Sequence, residues 1–135
     1  MDQEEAVLRL WREQATAATG IAGIELAASL QRHLTARGTG LPSNFALLLT
    51  ADEVVAVKFN PRNRLHPVEV GASQFGKEVA RWPRGSVGVA DLDAGRMATG
   101  LTLRVEGADP IPCRTPQLER NPAAAALIEE LGGVR

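Results

Sequence analysis

Few residues in this chain are of a type that does chemistry, and their spacing limits what each can do. A cysteine acts as a nucleophile through its thiolate, with a base in reach. Cys113 is the one cysteine among 135 residues, and the histidines are His33 and His66. No cysteine-protease signature surrounds Cys113. It shares a face with Ile111 along a strand-like run, so a buried, inert thiol is expected. A single cysteine also excludes an internal disulfide framework and a cysteine-rich zinc site. Asp91 and Asp93, with Asp109 further on, have carboxylate spacing, but DLDAG lacks the loop length and closing glutamate of a calcium-binding hand. They read as strand-end aspartates leading into a turn, and no metal site is expected. Gly20-x-x-Gly23, Gly38-x-Gly40 and Gly85-x-x-Gly88 are not followed by Lys-Ser/Thr, nor do they join a strand to a helix as a nucleotide loop requires. Ser29, Ser43, Ser73 and Ser86 all lie outside a Gly-x-Ser-x-Gly elbow. These residues point to no catalytic set and no cofactor.

Binding chemistry has more to offer. Lys58, Arg62, Arg64 and His66 concentrate around one loop, and between Glu53 and Arg104 there are eight basic and five acidic residues. That cluster reads either as a patch for an anion or acidic partner, or as a solvated turn. Trp11, with Val7 and Leu8, forms an apolar stripe that could cover the domain or anchor a partner. Trp82 precedes a turn proline and is expected to close the core. The whole chain is nearly neutral, with 15 basic and 16 acidic side chains. No global electrostatic pull draws it to nucleic acid or an anionic membrane.

The elements that must position these residues follow from periodicity. Val7, Leu8, Trp11, Ala15 and Ala18 recur at three- and four-residue spacing, the mark of one helical face. A second helix is expected over Ile24–Ala36, with Ala27, Leu30 and Leu34 on one side, ended by Gly38, Gly40 and Pro42. Phe45–Thr50 and Val54–Phe59 form a hairpin around Ala51-Asp52-Glu53. Further strands are expected at Val68–Val70, Lys77–Trp82, Ser86–Leu92, Met97–Val105 and Ile111–Cys113, the last demoted to an edge by Pro110 and Pro112. Asn121 as N-cap and Pro122 open a C-terminal helix with Ala124, Leu127, Ile128 and Leu131 on its apolar side. The composition, 44% hydrophobic and 23% charged, is that of an ordinary globular protein. The division by texture is a helical extension over 1–40 and a β domain over 41–135. An acidic start and no apolar run of membrane-spanning length lead to a cytoplasmic expectation.

Seven short strands and a closing helix resemble the bacterial pleckstrin-homology-like (PH-like) family. The resemblance rests on LLLTADEVVAVKF, EVARWPRGSV, LTLRVEGADPIPC and NPAAAALIEEL, and covers about Phe45 to Leu131. It implies two nearly orthogonal antiparallel sheets forming a partly open seven-stranded barrel with a C-terminal capping helix. In members that bind phosphoinositides, basic residues gather on the first strand connection and continue into the second strand. With Ala51-Asp52-Glu53 taken as that connection, the site is acidic and short, followed only by Lys58, so no specific phosphoinositide binding is expected.

The function expected from the sequence is a non-enzymatic binding or interaction module. One rival is a small enzyme with a site assembled around His66, Asp91 and Cys113. The other is a homo-oligomeric assembly protein using the N-terminal helices. A protein partner or a homodimer remains open, while nucleic acid is not expected.

Overall fold

A computed structural model describes residues 3–36, 38–61, 69–116 and 118–132. Among these residues the chain is mainly β, a seven-stranded antiparallel open sheet with one helix before it and one after it. In chain order the elements are α1 (Gln3–Thr19), β1 (Leu26–Arg32), β2 (Asn44–Leu49), β3 (Glu53–Phe59), β4 (Phe75–Pro83), β5 (Val87–Ala94), β6 (Ala98–Val105), β7 (Ile111–Pro116) and α2 (Pro122–Glu130). The strand order is β4-β3-β2-β1-β7-β6-β5.

The central strands are buried on both faces. Phe45–Leu49 of β2 and Val54–Val57 of β3 have no exposed surface, as expected of strands whose apolar residues run continuously. β7 instead alternates buried and exposed residues, and β6 buried and mostly half-buried ones, so one face of each meets the core. α1 packs on β1 and β4, α2 packs on β1, and the two helices touch. Val7, Trp11 and Ala15, spaced four apart, are the buried stripe of α1. In α2, Ala123, Ala124, Ala125, Leu127 and Ile128 are buried, and the Asn121 side chain accepts the Ala124 N–H at 3.3 Å to cap the helix.

Three expectations change. Ile24–Ala36 is not a second helix: Leu26–Arg32 is β1, paired with β2 over six residues and with β7 through Gln31↔Arg114 and Arg32↔Cys113. Its alanines favour a helix locally, but β2 is central and buried, and its backbone groups on that side need partners. Ala27 and Ala28, both buried, have side chains small enough for close packing. The boundary expected near residue 40 therefore falls in the β1–β2 connection of one sheet. Glu69 and Val70 are not in a strand, and Val68 lies outside the described residues. β7 is not an edge, for it lies between β1 and β6. Its prolines are tolerated because its pairing with β1 is so short. Beyond it the Pro112 carbonyl accepts the His33 N–H at 2.9 Å, which asks no donor of the proline.

Candidate functional site

In an antiparallel sheet successive connections alternate between the two ends of the strands. This puts the β1–β2 and β3–β4 connections at one end of the first four strands and the β2–β3 turn at the other. The β4–β5 turn joins that second end through the Arg84 N–H on the Asp52 carbonyl, and the Glu106 N–H donates to the Ser86 carbonyl beside it. The start of β6 meets the first end in one cleft. The two ends are built differently.

The second end is tied shut by Arg84, in the turn between β4 and β5. One of its Nη atoms donates to Glu25 Oε1 and to the Thr50 carbonyl, both at 2.7 Å; the other donates to Glu130 Oε1 at 2.7 Å. The Arg84 N–H donates to the Asp52 carbonyl at 2.8 Å. One residue thus joins the approach to β1, the β2–β3 turn and the end of α2. Hydrogen bonding to Glu25 is the main cause of its guanidinium pKa being held above the ordinary value. Next to it, Val89 of the edge strand β5 donates its N–H to the Leu131 carbonyl at 2.9 Å, so the end of α2 satisfies part of that edge.

The first end holds a cleft of about 430 Å³, a size that suits a small ligand. Its walls come from every layer: Trp11 from α1, Ser29–Gln31 from β1, Asn44 from β2, Phe59 from β3, Met97 and Ala98 at the start of β6, and Arg114–Pro116 from β7. Asn121, the cap of α2, and Pro61, Glu69 and Gln74 of the β3–β4 connection complete it. Trp11 stacks on Phe59 with centroids 5.5 Å apart and meets Phe75 edge-on at 6.0 Å, while Phe59 and Phe75 meet edge-on at 5.2 Å. The Trp11 indole Nε1 is buried and has no hydrogen-bond partner. The wall's polar groups are held in place. Asn121 Nδ2 donates to Thr115 Oγ1 at 3.1 Å, and Arg114 Nε donates to Gln31 Oε1 at 2.8 Å. Gln74 Nε2 donates to the Asn60 carbonyl at 3.0 Å, and its Oε1 accepts the Gly71 N–H at 2.8 Å. The Ala72 N–H donates to Gln14 Oε1 at 2.9 Å, which latches this connection to α1.

The residues singled out from the sequence are dispersed. Lys58 is exposed on β3, paired in register with Phe45. Arg62, Arg64 and His66 lie outside the described residues, although Pro61 and Glu69 on either side of that segment line the cleft. Val7 and Trp11 are buried in the chain's own core and Leu8 packs partly against it, so the stripe covers its own domain. Trp82, half-buried, packs against the core as well. Cys113 is buried, and desolvation pushes its thiol up to about 12. Asp91 is exposed, sits at the β5–β6 bulge with φ of 55°, and pairs with Arg104 at 3.4 Å. Among the described residues no cluster of three or more His, Cys, Asp or Glu side chains could hold a metal ion. None of the helices among them is long and apolar enough to cross a membrane.

With β1 in place, the hairpin strands are the second and third of the sheet. Ala51-Asp52-Glu53 belongs to the second connection, and the first is His33–Ser43, at the cleft end. The β3–β4 connection leaves from that same end. The acidity of Ala51–Glu53 therefore says nothing about anion binding at the first connection. Arg32 braces that connection, with Nε donating to the Leu41 carbonyl at 3.0 Å and an Nη to the Ala36 and His33 carbonyls at 2.6 and 3.3 Å.

No family model matches the chain, and no curated protein matches it.

Sequence reasoning missed Arg84, Arg114 and Asn121 as organising residues. Asn121 was legible as a cap but not as a wall of the cleft. Arg114 and Gln31 are 83 residues apart, and nothing local marks them as neighbours.

Proposed function

We propose that this protein is a non-enzymatic binding module of PH-like fold, with its site in the cleft beside Trp11. The observation that carries the reading is the cleft itself, at the open end of the strands, with aromatic and proline walls and a few oriented polar groups. The PH-like assignment is supported by an all-antiparallel order that runs outward from β1 on both sides and by the helix that follows β7. In this reading the β1–β7 junction, only two residue pairs long, is where the two halves of a partly open barrel turn on each other.

Binding is favoured over catalysis by the state of Cys113, the nucleophile of the rival enzyme reading. A buried thiol held protonated at neutral pH is a poor nucleophile. The assembly reading loses support because Val7 and Trp11 are already used within the chain.

The test is a set of small aromatic and aliphatic fragments followed by ¹H–¹⁵N spectra. Saturable shifts are expected at the Trp11 indole and at the amides of Leu30, Thr115 and Asn121. The Trp82 indole, paired in register with Val54 at the Arg84 end, should stay still. Saturation confined to other surfaces, or no saturation, refutes the reading.

A further inference from the structure

Among the described residues, Arg114 is a cation of the cleft wall that forms no ion pair. Arg114 is exposed, and its Nε is engaged by the neutral Gln31 carboxamide, its register partner across β1 and β7. Among the described residues Arg114 has no ion pair, whereas Arg81, Arg84 and Arg104 each face a carboxylate. The neighbouring acid on the wall, Glu69, has an interaction of its own. A guanidinium oriented through Nε keeps its two terminal nitrogens as a donor pair, the geometry that grips a carboxylate from two sides. Around it the cleft offers Phe59, Pro61, Met97 and Pro116 as apolar wall.

We infer that the cleft binds a small monocarboxylate with an apolar body, the carboxylate on Arg114 and the body along the apolar wall. This rests on the binding-module reading and names the ligand class for its site. Gln31 acts as the positioning residue, because its carboxamide fixes the plane of the guanidinium without neutralising it. An uncharged analogue keeps the apolar contacts and loses the charged pair.

The probes are 4-phenylbutyrate and its neutral amide, titrated into the full chain and read by calorimetry and by ¹H–¹⁵N spectra. With the intact protein the acid should bind about tenfold tighter than the amide, the effect of a charge-assisted hydrogen-bonded pair at a partly wet site. The preference should shrink as salt is raised. In Arg114→Gln it should collapse while amide binding is unchanged, and Arg114→Lys should keep part of it. Equal binding of acid and amide to the intact protein overturns this inference and leaves the binding-module reading standing. So does a preference that persists in Arg114→Gln. If neither probe shifts the cleft resonances, this inference is overturned, while the binding-module reading falls only if the fragment set also fails to saturate the cleft.

Discussion

Replacing Trp11 by phenylalanine and by alanine separates two opposing effects at one position. The side chain is 2% exposed, stacks on Phe59 and meets Phe75, yet its Nε1 is buried without a partner. An unpaired buried donor costs about 1–3 kcal/mol. Trp11→Phe keeps an aromatic ring and removes that donor. It also removes about three buried heavy atoms, a transfer loss of about 2 kcal/mol. The two nearly cancel, so Trp11→Phe should change stability by no more than about 1 kcal/mol. Trp11→Ala has no such offset: it empties the site and dismantles two aromatic contacts, for a loss of about 3–5 kcal/mol. Urea unfolding followed by far-ultraviolet circular dichroism measures both variants without relying on tryptophan emission. A Trp11→Phe loss close to that of Trp11→Ala would mean that the indole N–H is satisfied in solution, and the reasoning would fail.

Leu127, with no exposed surface, should lose about 2–5 kcal/mol on replacement by alanine; a change within error in urea unfolding would mean that α2 is peripheral. Arg84→Met should cost about 1–2 kcal/mol, since its carboxylate partners are half exposed, and adding Glu130→Gln should cost less than it does alone, as a double-mutant cycle would reveal. Cys113 should react with a disulfide reagent at neutral pH only as fast as the fold opens. Its thiol is raised in the folded state, so its contribution is present below the ordinary thiol pKa and is lost as pH rises from there towards about 12; Cys113→Ala should flatten that alkaline decline in urea unfolding. Glu78 behaves oppositely, because the hydrogen bond from Arg81 holds its carboxyl below the ordinary value. Its small contribution is present above the ordinary glutamate pKa and fades as pH falls through the lowered one, and Arg81→Gln should remove that acid-side slope in a pH series of unfolding curves.

Much of the architecture was legible because it rests on local periodicity. The β2–β3 hairpin was readable from FALLL and EVVAV around a polar turn, with Thr50 Oγ1 accepting the Glu53 N–H at 3.1 Å to shape it. The amphipathic stripes of α1 and α2 and the alternation of β6 were equally plain. β1 was not. LAASLQR fits helical spacing as well as a strand, and what decides between them lies elsewhere: β2 on one side, and Arg114 and Cys113 on the other. Losing that strand made β2 and β3 the first and second strands, and the strand wrongly expected at Val68–Val70 brought the count back to seven.

The candidate site was less legible than the fold. Cys113 could be read as inert from its place on an alternating strand, since alternation and burial are both local consequences of the pleat. The cleft could not be read, because its wall is assembled from the ends of strands far apart in the chain. By itself the sequence determined which segments would be apolar on one side, where the hairpin turns, and how α2 begins. The tertiary structure alone decided that Leu26–Arg32 would be a strand, that Arg84 would close one end, and that Arg114 would stand beside the cleft with no carboxylate partner among the described residues. Periodicity acts over a few residues, whereas backbone pairing and charge neighbours are settled only once distant segments meet.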